Sequence, residues 1–163
     1  MTPAPLAVVR GDATLPVGSG PKVITHLCND VGAWGRGFVL ALGSRYPAAR
    51  QQYRAWAQGH DPLPFQLGQV QFVTVAPDLH IANLLGQHGI ARKDRRPQDP
   101  PIRYDAIREG LGRVRIFAQR QHASVHMPRI GTGLAGGDWT VIQDLIQDEL
   151  LSSSIRVTVY DLP

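Results

Sequence analysis

Short aliphatic and β-branched runs alternate along this chain with segments whose apolar residues recur at helical spacing. That alternation admits few folds other than a largely parallel sheet covered by helices on both faces. "LAVVR" (Leu6 to Arg10) and "KVITHLC" (Lys22 to Cys28) read as buried strands separated by a Gly-, Pro- and Ser-containing loop. From Gly37 to Gln58 the sequence favours helix, with Pro47 breaking the run and then suiting the first turn of a second helix. Period-two alternation over Gly68 to Ala76, a "PD" turn and the run Leu79 to Gly86 predict a β-hairpin. Tyr104, Ile107, Leu111, Val114 and Ala118 form the stripe of an amphipathic helix over Arg103 to Gln121, despite Gly110 and Gly112. "ASVHMPRI" follows as a strand. Asp138 is placed to N-cap a helix with the stripe Trp139, Ile142, Leu145, Ile146 and Leu150, and "SIRVTVYDL" supplies the last strand. The expectation is an α/β protein with a mixed, mostly parallel six-stranded sheet, whose ligand sits at the carboxyl ends of the strands.

A length of 163 residues suits one domain spanning 1–163. Cys28 is the only cysteine, which rules out an internal disulfide framework. The N-terminus lacks the charged-then-apolar plan of a signal peptide, so a cytoplasmic protein is expected. No apolar run approaches the roughly 20 residues that cross a bilayer, so no membrane partner is expected. The net charge of +4 includes only two lysines, Lys22 and Lys93. Arginine therefore dominates the positive charge, which favours planar contacts with phosphate or carboxylate. The densest basic stretch, "ARKDRRPQDPP" (Ala91 to Pro101), is laced with acids and prolines and reads as a solvated loop rather than a nucleic-acid surface.

Two strand-to-helix junctions carry the chemistry. In "MPRIGTGLAGGDW" (Met127 to Trp139) four glycines fall within the seven positions from Gly131 to Gly137. Such bare backbone either forms a nest of N–H groups for an anion or simply turns a corner. The second junction, "HLCNDVGAWGRGF" (His26 to Phe38), repeats the pattern of strand, glycine-spaced loop and helix. If the two loops meet at one sheet edge, their amides and two helix N-termini clamp a pyrophosphate. Arg36 either adds charge to that clamp or lies in solvent. Trp34 either stacks on a sugar or base, or anchors its loop by packing. His26 and Asn29, three residues apart at a strand end, form a candidate catalytic pair, one moving protons and the other orienting a hydroxyl or water. The bland reading of His26 is a satisfied structural histidine. Asp12, in "RGDAT", either accepts a hydrogen bond from an adenine amino group or caps a turn. His80, His88, His122, His126 and Cys28 show no metal-ligand spacing, and no Ser-His-Asp order or carboxylate pair stands out, so a site without metal or cofactor is expected.

On these residues the chain resembles the macro domain family, ADP-ribose-binding modules with a mixed sheet between two helical layers. The resemblance covers nearly the whole chain and rests on "GDAT" (Gly11 to Thr14), "HLCNDVGAWGRGF", "PRIGTGLAGGDW" and the terminal "VTVYDL", in that order. It is strongest toward the small stand-alone branch of ADP-ribose-1''-phosphate phosphatases and terminal ADP-ribose protein glycohydrolases, and "GAWGRGFVLALGSRYPAARQQY" is particularly similar to the phosphatases. The resemblance implies a three-layer α/β/α fold. It also implies that Asp12 holds the adenine amino group, with Gly11 and Ala13 beside it. Gly35, Arg36, Gly37 and Phe38 would lie along the diphosphate and distal ribose. Gly131, Thr132, Gly133, Leu134 and Ala135 would face them. Asn29 matches an asparagine that contacts the distal ribose, and His26 the histidine that begins this loop in the phosphatase-like members. Where the glycohydrolases carry a lysine and an aspartate, this chain carries Gln87 and Ala135, so a lysine-dependent mechanism is not expected. What the resemblance implies is a metal-free hydrolase that directs water at the 1''-substituent of ADP-ribose or of an ADP-ribosylated substrate. The alternative is a reader that binds without turnover. Nucleic acid would enter only as a modified substrate.

Overall fold

The computed structural model describes residues 6–90 and 100–163. The elements follow in the order β1 (Leu6–Arg10), β2 (Lys22–Asn29), α1 (Phe38–Arg45), α2 (Pro47–Ala57), β3 (Val70–Ala76), β4 (Leu79–Gln87), α3 (Tyr104–Gln121), β5 (Ser124–Pro128), α4 (Trp139–Glu149) and β6 (Val157–Asp161), with short 3₁₀ turns at Gly133–Ala135 and Leu151–Ser153. The strands form one sheet in the order β1-β6-β5-β2-β4-β3. All neighbours are parallel except β3 and β4, which make the expected hairpin. The basic stretch Ala91 to Pro101, read as a solvated loop, lies mostly outside the described residues.

The three layers follow from side-chain alternation along the central strands. Ile24 and Cys28 of β2, with Ile81 and Leu85 of β4, pack under α1 and α2 against Leu42, Tyr53 and Trp56. Val23 and Leu27, with Ala82 and Leu84, pack on the opposite face against Ile107 and Leu111 of α3 and Ile142 and Ile146 of α4. Covered on both sides, β2 and β4 are buried almost throughout. β1 corrects the expectation of a buried strand: it lies at the sheet edge, pairs only with β6, and leaves Val8 49% exposed. Local signals hold elsewhere. Pro47 opens α2, α3 runs unbroken through Gly110 and Gly112, and Asp138 caps α4 by accepting the Thr140 N–H at 2.9 Å. No helix among the described residues is long and apolar enough to cross a membrane.

Two details of register prepare the site. β2 and β5 are adjacent and parallel, so the loops that follow them leave the same edge of the sheet. Near the end of β2 the pairing with β4 slips, from Cys28 opposite Leu85 to Asn29 opposite Gln87, passing over Gly86. Such a slip redirects the side chain after it, and Gln87 stands at the resulting opening.

Candidate functional site

Between the two loops lies a cavity of about 480 Å³. His26, Asn29, Gly35, Arg36, Gly37 and Phe38 line it from the β2 side, and Gly131, Thr132, Gly133 and Ala135 from the β5 side, with Gln87 at the end of β4. The loops thus face each other at one sheet edge. Leu134 belongs to the 3₁₀ turn between two lining residues. Gly11, Asp12, Ala13 and Trp34 do not line the cavity.

Asn29 builds the first loop. Its Oδ1 accepts N–H bonds from Val31 (3.1 Å) and Ala33 (3.0 Å), and its Nδ2 donates to the Ala33 carbonyl at 2.8 Å. The Tyr53 hydroxyl completes the knot from α2. The side chain therefore fixes the loop's path, and one amide hydrogen remains beside the cavity. Asp30, the next residue, accepts from His88 Nδ1 at 2.7 Å and from the Gly89 N–H at 2.8 Å. Burial pulls its pKa upward, but those two bonds, with the attraction of His88 and the residue's own backbone N–H, together hold the carboxyl below its ordinary value. This tie keeps the chain after β4, with Ile90, at the cavity mouth.

Trp34 is placed as a packing anchor of its loop. It is 5% exposed, edge-on to His26 and tilted on Tyr53, both at 5.4 Å between ring centroids. Its indole nitrogen lies over Gly43 of α1, where a side chain would leave no room. α1 itself starts at Phe38 without a side-chain cap, so no capping side chain takes its first amides, and Gly37 and Phe38 line the cavity. Arg36 is exposed at the rim and makes no ion pair among the described residues.

His26, expected to move protons as acid or base, sits where its ring is held neutral. It is 2% exposed, and its Nε2 lies 2.5 Å from Asn83 Oδ1, with no bond to Asn29. Burial lowers its pKa to about 4, only partly offset by the Asn83 bond. At neutral pH the ring is therefore uncharged and has no proton of imidazolium type to give. Its Nδ1 is buried without a partner. The Cys28 thiol, also at the cavity, is pushed well up by burial and stays protonated.

The second loop uses its glycines in two ways. Gly131 has φ of +75°, and its carbonyl accepts the Gly137 N–H at 2.7 Å, so closely that a Cβ on Gly137 would lie 2.2 Å from that oxygen. These two close the loop on itself. Gly35, Gly37 and Gly133 instead border open space, where an added Cβ meets nothing within 4 Å. Arg129, a lining residue that sequence reasoning passed over, donates to both Asp161 oxygens (2.7 and 2.9 Å) and lies 5.1 Å over the Trp139 ring. The signal was present in "PRIG", but an arginine beside a glycine cluster does not reveal a partner 32 residues away.

Asp12 caps its own turn: its Oδ1 accepts from Thr14 N at 2.8 Å and Thr14 Oγ1 at 2.7 Å. Arg45, which ends α1, and Tyr46, between α1 and α2, donate to Thr14 Oγ1 and to the Thr14 carbonyl, and Gly11 N donates to the Asp161 carbonyl. Through Asp161 and Arg129 the Gly11–Ala13 turn is therefore joined to the cavity wall. No three His, Cys, Asp or Glu side chains among the described residues come together as a metal site.

No family model matches the chain. A structure of a protein of unknown function from Bacteroides thetaiotaomicron is 50% identical, with TM-score 0.91, over 98% of this chain and 99% of that one. A macrodomain protein from Streptomyces coelicolor is 49% identical, with TM-score 0.84, over 96% and 99%. Thermosipho africanus DarTG in complex with ADP-ribose shares the fold at 19% identity and TM-score 0.71, over 97% of this chain and 41% of that one. Among curated relatives, the chromodomain-helicase-DNA-binding protein 1-like of Danio rerio is 33% identical over 93% of this chain, which spans 15% of that protein's length. An ADP-ribose 1''-phosphate phosphatase of Chaetomium globosum is 28% identical over 85% of this chain and 82% of its own.

Proposed function

The chain belongs to the macrodomain family, and from that premise we propose that, as one macrodomain, it binds ADP-ribose and hydrolyses ADP-ribose derivatives at the distal ribose. The observation that carries the reading is the cavity of about 480 Å³ held between two glycine loops at the carboxyl ends of β2 and β5. Its size suits a small-molecule ligand. The uncapped start of α1 and the loop amides around Gly35–Phe38 and Gly131–Ala135 receive the diphosphate. Arg36 adds charge at the rim, and the free amide hydrogen of Asn29 meets the distal ribose. Asp12 keeps its second carboxylate oxygen for the adenine amino group, with Gly11 and Ala13 beside it. Relatives named ADP-ribose 1''-phosphate phosphatase, matched over most of both chains, support the hydrolytic reading. In this scheme a bound water displaces the 1''-substituent, and neither metal nor cofactor is called on.

A non-catalytic reader is favoured by one observation. Among the described residues, the titratable side chains lining the cavity are His26, Cys28, Arg36 and Arg129, with no carboxylate, and Gln87 and Ala135 are neutral. Calorimetry with ADP-ribose, using AMP and ribose 5-phosphate as controls, tests the ligand. Phosphate release from ADP-ribose 1''-phosphate then separates the two readings. Binding with release is the expected result; binding without release selects the reader or another leaving group, and no binding removes ADP-ribose from this cavity.

A further inference from the structure

A buried polar chain runs across the sheet face beneath α2 and ends at the cavity. Gln71 of β3 donates from Nε2 to the Gln52 carbonyl at 2.9 Å and to Asp61 Oδ2 at 3.1 Å. A carbonyl only accepts, so Gln52 fixes which end of the Gln71 amide faces it. Gln71 Oε1 is then the acceptor for Asn83 Nδ2 at 3.1 Å. Asn83, fully buried on β4, also donates from Nδ2 to the Ala49 carbonyl at 3.2 Å, which fixes its amide by the same rule. Two carbonyls of α2 thus orient both amides, and Asn83 Oδ1 is left pointing at His26 Nε2.

We infer that this relay locks His26 in its Nε2–H tautomer and so leaves Nδ1, buried and without a partner on a cavity-lining residue, as an acceptor for a ribose hydroxyl of the bound ligand. An oxygen that only accepts demands a proton on Nε2, and a neutral ring then has none on Nδ1. That nitrogen is buried and unpartnered on a residue that lines the cavity. A buried acceptor left unpaired is costly, and a ligand hydroxyl removes that cost on binding. Asn83 and Gln71 are positioning residues, acting on the ligand only through His26. The ligand half of this inference rests on the ADP-ribose reading above.

The test uses the full chain uniformly labelled with ¹⁵N, read at pH 7 by long-range ¹H–¹⁵N spectra of the imidazoles and by amide ¹H–¹⁵N spectra, with His26 assigned from a His26→Gln variant. The free protein is expected to show His26 with a pyrrole-type Nε2 and a pyridine-type Nδ1. A protonated Nδ1 overturns the lock. Saturating ADP-ribose is expected to shift the Nδ1 resonance along with the amides of Phe38 and Gly131. Movement of those amides with Nδ1 unchanged overturns the acceptor role. If no resonance moves, the ADP-ribose reading fails instead, and the free-protein spectrum still decides the lock. Asn83→Asp gives a second readout that a purely structural residue would not move. A carboxylate against Nε2 is expected to raise the proton affinity of His26 at least about tenfold from its value near pKa 4. An unchanged His26 titration in that variant overturns the relay.

Discussion

The Tyr53 hydroxyl lies 2.6 Å from the backbone carbonyl of Asn29 and 2.9 Å from its side-chain Oδ1, so one α2 residue grips the end of β2 and the start of the cavity loop together. Asn29 relays that grip into the loop by accepting from Val31 and Ala33. Asn29→Ala removes these acceptors while the Tyr53 hydroxyl keeps the backbone carbonyl. We expect a loss of about 1–3 kcal/mol in urea unfolding, together with weaker ADP-ribose binding by calorimetry. Asn29→Asp keeps both acceptor positions and is expected to recover part of the stability. An Asn29→Ala protein as stable as the parent removes the loop-building role.

The layout of elements was legible in sequence because each rests on local signals. Pro47 at the start of α2, Asp138 before α4 and the period-two hairpin all appear where expected, with ends moved by a residue or two. The exposure of β1 was not legible, since "LAVVR" is apolar whether its strand is central or at the edge; sheet order alone decides that. The same limit applies at the site. The two glycine loops were found from composition and spacing, which are local. The partners that give His26, Arg129 and Asn29 their character are Asn83, Asp161 and Tyr53, 57, 32 and 24 residues distant. The packing seat of Trp34 was not legible for a similar reason: the small residue that seats its indole, Gly43, lies on the next helix.

Gly35 and Gly137 separate the two uses of glycine. Gly137→Ala places a methyl 2.2 Å from the Gly131 carbonyl, and backbone rather than a flexible side chain has to yield. We expect it to destabilise by about 2 kcal/mol or more. Gly35→Ala meets nothing within 4 Å, so its stability should stay within about 0.5 kcal/mol of the parent. Because the new methyl borders the cavity, its ADP-ribose affinity should fall about tenfold, which corresponds to about 1.4 kcal/mol. Equal loss of stability in both variants contradicts the distinction; thermal melts and calorimetry on the pair read it directly.

Arg129 is held for orientation more than for stability. Its bidentate bond to Asp161 raises its pKa, and the same bond holds Asp161 below the usual carboxylate range. Yet the two side chains are 37% and 41% exposed, and a solvent-screened pair of this kind contributes little to stability. Asp161→Asn should therefore leave unfolding nearly unchanged while freeing the guanidinium from the cavity wall. The expected signature is weaker ADP-ribose binding without a matching drop in melting temperature. A large drop in melting temperature, or unaltered binding, counts against this role.

Stability should fall between pH 7 and pH 5, and three buried histidines set the window: His26, His126 and His80, whose pKa burial also lowers against the nearby charge of Asp78. Burial lowers the pKa of His26 to about 4, against the small opposing effect of its Asn83 bond. Burial, with the nearby charge of Lys22, lowers His126 likewise to about 4, where it sits between Ser124 and Tyr160. The unfolded chain takes up these protons near pH 6.5. Between the two values the unfolded state binds more protons, so stability is full above pH 6.5 and drains away as pH falls toward 4. From pH 7 to pH 5 His26 and His126 should each remove about 1–2 kcal/mol. The depressed carboxyls of Asp30 and Asp161 act only below their ordinary value of 3.8, outside this window. Urea midpoints at the two pH values isolate the effect, and His26→Gln should flatten the profile by somewhat less than half. A midpoint that does not move between pH 7 and pH 5 would mean that these rings are charged in the folded chain, and with His26 charged its Nδ1 would be a donor.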